Sequence, residues 1–347
     1  MINSSLIQQG ALRLIQGRKT YREACDSQQI VSPAQEYQAL PAFFLEEDLT
    51  KIKGVPSDST YAGEASRLDI GTKRCEATIA YHFSDVDIIQ GYLYKGGMKY
   101  PFVDAQESWF SQQQTTHISK ALIASNIYTC RYFGHWITEA LPLELAAETL
   151  EVSAIAPAQK FYKHESEYRS LLGLAPLAVS KAKCKQLMIL DDVAPNQFKL
   201  ARFLEIRKRI RSKVKPMHSH HGVMFLRKQS GNKRVLVNEM EVANFLRSQG
   251  FIVIDAEMMT ATDVMRQVLE AKLVIGVEGS QLTPAIYALS ETGTILALQP
   301  PDRFSTCHKE FTDCLGMHYG FLVGDQVENG FQINISALSK LLDKINY

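Results

Sequence analysis

The alternation of apolar runs with amphipathic segments between residues 223 and 300 constrains the fold of this 347-residue chain more than any other feature. Four runs, at residues 223–226, 251–255, 273–277 and 294–298, are almost wholly apolar, as strands buried on both sheet faces are. Helical segments lie between them, one of them starting after Asn238 with Glu239 and Glu241 in its first turn. This alternation predicts an α/β domain with a parallel sheet covered by helices on both faces.

The turn after the third run is the best candidate for a ligand site, because ligands of parallel sheets bind beyond the carboxyl ends of the strands. Its residues are Glu278, Gly279, Ser280, Gln281, Leu282 and Thr283. Thr283 followed by Pro284 predicts a helix start, whose unpaired N–H groups would suit a nucleotide pyrophosphate. The turn is neither G-x-G-x-x-G nor a Walker loop, so an ordinary strand-to-helix turn stays open as the alternative.

Two basic pairs are predicted to lie near that turn. Arg227 and Lys228 follow the first strand directly, and Lys233 and Arg234 come a few residues later. Both pairs are expected at the same edge of the sheet, where a planar guanidinium could grip a phosphate with two hydrogen bonds. Solvated surface charge is the alternative for each residue.

A histidine and a glutamate share one face of a predicted helix earlier in the chain. His135 and Glu139 are four residues apart, and the apolar positions 137, 140, 141 and 145 fit a helical stripe. The pair could act as a general base, with the imidazole taking a proton and the carboxylate orienting it. A capping histidine and a solvated glutamate are the alternative. Pro142 is predicted to kink or interrupt this helix.

Length and composition indicate a soluble protein of two domains. The predicted division is 1–215, 216–335 and a C-terminal helix at 336–347. The net charge of +1 argues against a nucleic-acid binder, and the six cysteines show no C-x-x-C spacing. No signal-peptide pattern and no run of 18 apolar residues is found, so a cytoplasmic location with reduced thiols is expected.

Two further segments carry weaker predictions. His218, His220 and His221 could bind a metal ion, although a solvated linker also explains them. The basic segment 202–215 could contact anionic lipid or an acidic polymer, or it could be a solvated helix face. No pattern indicates an oligomeric state.

Two motifs resemble those of glycosyltransferase family 61, which includes transferases of capsular polysaccharide biosynthesis. The first motif comprises Phe225-Leu226-Arg227-Lys228, residues 233–239, Gly250-Phe251 and residues 276–283. The second is the stretch 134–142, which resembles a His-Trp-x-x-Glu-x-Leu-Pro pattern. The similarity covers roughly residues 125–300, with the motifs in the family's order and separation.

The resemblance implies a GT-B-like fold, with two Rossmann-like domains and a cleft between them. It also implies an inverting, metal-independent transferase that uses a nucleotide-sugar donor, for which a UDP-linked sugar is expected, and a glycan or polysaccharide acceptor. No cofactor is implied. Arg227 falls on the family's strand-end arginine, and Arg234, Asn238 and Glu239 fall on its Arg-x-x-x-Asn-Glu pattern. His135 and Glu139 match its cleft-facing helix residues. The amino-terminal domain would face the acceptor, and a location at the inner face of the membrane would follow if segment 202–215 contacts lipid.

The turn departs from the family pattern. Where the family often has His-Gly-Ala, this chain has Glu278-Gly279-Ser280, and Lys228 replaces a common second arginine. A carboxylate beside a pyrophosphate is unfavourable unless it turns away or bonds to ribose hydroxyls. A non-catalytic sugar-nucleotide or glycan-binding protein of the same fold therefore stays open as the alternative. A nucleotide-binding oxidoreductase is disfavoured, because Arg227 stands where a G-x-G-x-x-G turn would begin.

Overall fold

The computed structural model describes residues 13–15, 17–104, 114–217, 221–228 and 234–345. The chain forms two compact units. The first comprises Met1–Gln35 and Cys75–Arg202, and the second comprises Glu36–Arg74 and Phe203–Tyr347. The division into domains at residues 215 and 335 stays a prediction.

Strands and helices alternate through most of the described chain. In chain order the described strands are β1 (Ser27–Ser32), β2 (Gln35–Ala39), β3 (Gly71–Cys75), β4 (Thr78–Ile89), β5 (Tyr92–Lys95), β6 (Met98–Pro101), β7 (Thr116–Ile123), β8 (Ser153–Ala156), β9 (Leu177–Ala178), β10 (Lys181–Asp191), β11 (Gly222–Phe225), β12 (Ile252–Ile254), β13 (Leu273–Val277), β14 (Thr294–Gln299), β15 (His318–Val323), β16 (Asp325–Val327) and β17 (Gly330–Gln332). The helices are α1 (Tyr21–Ala24), α2 (Asp48–Lys51), α3 (Tyr61–Ser66), α4 (Ile127–Arg131), α5 (Phe133–His135), α6 (Leu141–Thr149), α7 (Glu165–Leu172), α8 (Gln197–Lys213), α9 (Glu239–Ser248), α10 (Ala261–Val268), α11 (Ala285–Ala288), α12 (Cys307–Cys314) and α13 (Ile335–Ile345), with a π-helix at Trp136–Ala140 and a 3₁₀ helix at Ala256–Met258.

The first unit is built on a mixed sheet of order β6-β5-β4-β10-β7-β8-β9, with β1 also paired to β4. Strands β10, β7, β8 and β9 run parallel to one another. Strand β4 runs antiparallel to β1, β5 and β10. The link from Ile89 to Tyr92 is too short for a parallel crossover, which needs a dozen residues or more. The unit is α/β as predicted, but its sheet is not the all-parallel sheet of a doubly wound domain.

The second unit contains a five-stranded parallel sheet of order β12-β11-β13-β14-β15, which confirms the predicted parallel α/β sheet. The fifth strand escaped the sequence analysis because Gly320 interrupts its apolar pattern. A side chain at Gly320 would lie 3.0 Å from the carbonyl oxygen of Phe43, so the close backbone approach favours glycine there. The strand order reverses at β11, which brings the carboxyl ends of β11 and β13 side by side, with Phe225 paired to Gly276.

The basic segment 202–215 uses its arginines inside the protein. In the first unit, Arg202 binds the carboxylate of Asp192 through two hydrogen bonds of 2.8 Å. In the second unit, buried Arg207 donates to the carbonyl oxygens of Ile286 at 2.5 Å and Leu289 at 2.8 Å. Contact of this segment with lipid stays a prediction. None of the described helices has the length and apolar character that crossing a membrane requires.

We expect Arg207→Leu to destabilise the second unit by about 2 kcal/mol, because it leaves a buried carbonyl at the end of α11 without this donor. Urea unfolding followed by circular dichroism at 222 nm measures the change. The control is Lys208→Ala on the same helix, whose side chain is 79% exposed and whose loss should cost under about 0.5 kcal/mol. Equal stability of the two variants would show that the Arg207 contacts do not stabilise the fold.

Candidate active site

The predicted basic residues Arg227 and Arg234 meet at the turn after β13. Arg227 follows β11 by two residues, is buried, and donates from Nη1 to Oε1 of Gln281 at 2.8 Å. Arg234 donates from Nη1 to the carbonyl oxygen of Glu278 at 2.6 Å and lies 2.8 Å from Oε2 of the same residue. Both arginines therefore lie at the same edge of the sheet as this turn, as the sequence predicts.

A third arginine, Arg303, joins them and was missed by the sequence analysis. Its Nη1 lies 2.9 Å from Oε2 of Glu278. Arg303 follows β14 by four residues, so three neighbouring parallel strands each send residues to this cluster. A basic residue shortly beyond the end of a buried parallel strand was the available signal.

The carboxylate of Glu278 is buried and bound by cations. Arg234 and Arg303 both contact Oε2, and the thiol of Cys307 lies 3.9 Å from Oε1. Glu278 therefore anchors two guanidiniums and is not an unpaired negative charge at the turn. Counting Glu239 as well, this cluster has three guanidiniums and two carboxylates, which gives it a net charge of +1.

Gly279 lets the backbone of the turn pass close to the arginines. Its φ is +149°, and a Cβ there would clash with a guanidinium nitrogen of Arg227 and lie 2.7 Å from one of Arg234. Within the described part of the chain, the backbone N–H groups of residues 279–281 donate no hydrogen bond, whereas those of Leu282 and Thr283 close the turn. Three amide donors and three guanidiniums thus lie together, as a cradle for phosphate oxygens requires.

The helix after the turn differs from the expected one. Pro284, and not Thr283, stands at the N-cap, and α11 has four residues. Thr283 does not cap the helix because its hydroxyl is 3.1 Å from Nε2 of His308, a buried residue of α12. So short a helix has a weak dipole, and the amides of the turn matter more for anion binding than the helix does.

The other predicted donor-site residues support this arrangement. The Glu239 carboxylate accepts hydrogen bonds from the backbone N–H groups of Arg227 at 2.7 Å and Lys228 at 3.0 Å, which fixes the loop after β11. Asn238 does not cap its helix through its side chain but exchanges two hydrogen bonds with the backbone of Ile333.

Of six further predicted residues, three are described and three lie outside the described part of the chain. The exposed Lys228 ammonium pairs with Asp255 at 2.5 Å. Leu282 is wholly buried, and Ser280 is partly exposed on the turn. Lys233, His218 and His220 lie outside the described residues, so the metal site predicted around His221 has no structural description.

Electrostatics favour an anion in this cluster. Burial and the neighbouring Arg234 lower the pKa of Arg227 to about 10, and burial lowers the pKa of Arg234. The Arg234 side chain is 8% exposed, and its Nε–H finds no acceptor among the described residues. A buried donor without an acceptor is costly, so an incoming phosphate oxygen would be stabilised there.

Three side chains beside the cluster could in principle hold a metal ion. Atoms of Glu278, Cys307 and His308 lie within 4.8 Å of one another. Two guanidiniums already occupy the Glu278 carboxylate, and burial with that carboxylate raises the pKa of the Cys307 thiol to about 12. Positive neighbours and a protonated thiol both oppose a divalent cation, so these residues fit the anion site better than a metal site.

The predicted catalytic pair, His135 and Glu139, lies in the first unit. His135 Nδ1 and Glu139 Oε1 are 2.5 Å apart, and Glu139 Oε2 accepts a hydrogen bond of 2.8 Å from Asn126. Burial raises the pKa of Glu139, but the hydrogen bonds from His135 and Asn126 outweigh it and hold that pKa below its usual value. The imidazole side chain is 46% exposed, so solvent reaches its ring.

The helix carrying this pair changes geometry at the site. Glu139 lies in the π-helix Trp136–Ala140, and α6 begins at Leu141 with Pro142 in its first turn. This agrees with the predicted interruption at Pro142, whose missing N–H cannot continue the regular bonding pattern. Buried Trp136 anchors the segment against Tyr162 and Tyr168, with the Arg169 guanidinium over its ring.

We expect the His308→Gln variant to lose less stability than the wild type as the pH falls. Burial and Arg234 lower the pKa of His308 from 6.5 to about 4, so the unfolded chain binds a proton first as pH falls. The contribution of His308 to stability is therefore full above pH 6.5 and is lost between pH 6.5 and pH 4. Between pH 7 and pH 4, the free energy of unfolding measured in urea should fall more in the wild type than in the variant, by on the order of 3 kcal/mol. Identical pH profiles would mean that the folded imidazole titrates normally.

The comparison with known proteins bears on both groups of residues. Residues 133–295 match the sequence profile of the family Glycosyltransferase 61. This segment contains the His135–Glu139 pair and the cluster around Glu278, except for Arg303. No curated protein sequence matches the chain. The motifs and the profile agree, and they identify residues 133–295 with glycosyltransferase family 61.

Proposed function

We propose that this glycosyltransferase moves a sugar from a nucleoside-diphosphate sugar, with UDP as the expected nucleotide, to a hydroxyl of a glycan, inverting the anomeric centre without a metal ion. Family membership supports transfer of a glycosyl group. The donor class rests on one observation, the convergence of Arg227, Arg234 and Arg303 with the open amides of residues 279–281.

The arginine cluster would stabilise the leaving group. As the bond between the anomeric carbon and the phosphate oxygen breaks, negative charge grows on the nucleoside diphosphate. Guanidiniums already held in place by Glu278 and Gln281 need little reorganisation to meet that charge, which is the most effective form of electrostatic catalysis. Fixed cations of this kind would supply the charge that a metal ion supplies in other transferases.

The His135–Glu139 pair would activate the acceptor. Glu139 holds Nδ1–H of His135, which leaves Nε2 to take the proton of the acceptor hydroxyl while its oxygen bonds to the anomeric carbon. The carboxylate then stabilises the imidazolium that forms. In this proposal the second unit binds the donor and the first unit serves the acceptor, as a GT-B transferase divides them.

A non-catalytic binding protein is the weaker candidate. Its main argument was a carboxylate beside the phosphates, and two guanidiniums bind that carboxylate. A cytoplasmic location stays part of the proposal, and the six free cysteines are compatible with it.

We expect a nucleoside diphosphate to stabilise the wild-type protein and to lose affinity at least tenfold in Arg234→Met, which removes a charge-assisted contact. Thermal-shift titrations with UDP, CDP, GDP and CMP measure both effects. At a hundred times its dissociation constant a ligand adds about 2.7 kcal/mol. Arg266→Met is the control, since this half-exposed arginine pairs with Asp263 on α10. Equal affinities in both variants would remove Arg234 from the donor site.

We expect His135→Asn to keep nucleotide affinity and to lower turnover by about 10² to 10⁴, the usual contribution of a general base. Release of nucleoside diphosphate, measured with sugar conjugates of the nucleotide that binds, reports turnover. His164→Asn is a matched control, because His164 also pairs with a glutamate of the first unit, at 3.3 Å. Unchanged turnover in His135→Asn would exclude its role as the base.

A further inference from the structure

We propose that Tyr128 and Tyr132 form an aromatic platform beside His135 that stacks against the apolar face of a neutral pyranose ring in the acceptor. The inference rests on the proposed function and names the acceptor's chemical class. It concerns the first unit alone, and the amino-acid motifs do not include either tyrosine.

Both tyrosine rings flank the imidazole. Tyr128 lies on α4 and Tyr132 is its C-cap, four residues further on. Each ring centroid is 5.7 Å from that of His135, with interplanar angles of 33° for Tyr128 and 47° for Tyr132. The two tyrosine rings and the imidazole of the candidate base thus form one group of neighbouring rings.

Exposure separates this group from the neighbouring core. Tyr128 is 56% exposed and Tyr132 is 40% exposed, whereas Trp136 is 4% exposed and Tyr168 is 2% exposed. Trp136 and Tyr168 therefore belong to the core, whereas Tyr128 and Tyr132 face the solvent. One exposed tyrosine is unremarkable, but two that flank a partly exposed His–Glu pair are a surface suited to a ligand.

Hydrogen bonds tie the platform to the catalytic pair. The side chain of Asn126 caps α4 by accepting the N–H of Thr129 at 3.0 Å, and its amide donates to Glu139 at 2.8 Å. The carbonyl oxygen of Tyr132 accepts the N–H of Trp136 at 3.1 Å. The helix that carries the tyrosines is thus fixed relative to the residues that carry the base, so a stacked ring would be held at a set distance from His135.

The chemistry of the surface fits a sugar. A pyranose whose hydroxyls are equatorial has axial C–H groups on each face, and these are attracted to the negative face of an aromatic ring. Its hydroxyls then project from the edge of the ring, where one can reach Nε2 of His135. The nearby Arg131 is paired to Asp104 through hydrogen bonds of 2.6 and 3.1 Å. Its charge is therefore already neutralised, and it does not favour an acidic sugar over a neutral one.

Saturation-transfer NMR tests the platform, with methyl β-D-glucopyranoside, methyl β-D-galactopyranoside and methyl β-D-xylopyranoside as the probes. We expect the wild type to transfer saturation to axial ring protons of at least one probe. Tyr128→Ala and Tyr132→Ala should each lower the transfer at least fivefold, and Tyr128→Phe and Tyr132→Phe should retain it. Tyr61→Ala is the control, since Tyr61 is 54% exposed at the start of α3 in the second unit.

Thermal unfolding and nucleotide titration of each variant separate this inference from the proposed function. Loss of saccharide signal in folded alanine variants that bind nucleotide normally would support the platform. No transfer from the wild type to any probe, or equal transfer in the alanine variants, would overturn it. Saccharide binding without nucleotide binding would contradict the proposed function and leave the platform standing.

Discussion

The buried carboxylate of Glu278 holds two guanidiniums at the carboxyl edge of the parallel sheet, and the rest of the candidate donor site depends on that contact. Arg234 and Arg303 both bind one of its oxygens, and Arg227 reaches the same turn through Gln281 and the Glu278 carbonyl. Like charges brought together in a desolvated place need a fixed partner, which explains why an acidic residue belongs here.

The same crowding explains the residues around the cluster. Gly279 is required because a side chain would run into the guanidiniums, and His308 is kept neutral by burial and by Arg234. Glu239 fixes the loop that presents Arg227 by binding two of its backbone N–H groups. The glycine, the neutral histidine and the buried carboxylate each cost stability by themselves. Together they hold the guanidiniums in place for an anion.

Local rules predicted much of the second unit. The four apolar runs became β11 to β14, and Arg227 and Arg234 met because parallel strands bring their ends to one edge. Arg303 was not predicted, since its role depends on a contact with a residue 25 positions away. The partners of Glu278 were unpredictable for the same reason, since Arg234 and Arg303 lie 44 and 25 positions away from it.

The first unit was harder to predict because its contacts are less local. Periodicity placed His135 and Glu139 on one face, and a 2.5 Å contact joins them. It could not predict the mixed sheet, which depends on long-range pairing of β10 with β4 and β7. Nor could it show that Asn126 links the tyrosine-bearing helix to Glu139, since the two are 13 positions apart.

The most direct test of the central claim is a crystal structure of the protein with the nucleoside diphosphate that binds best. We predict phosphate oxygens within about 3 Å of the guanidiniums of Arg227 and Arg234 and of the amides of residues 279–281. We also predict that Glu278 stays paired with Arg234 and Arg303. A diphosphate bound away from these residues, or a Glu278 carboxylate that coordinates a metal ion on the phosphates, would contradict the proposed donor site.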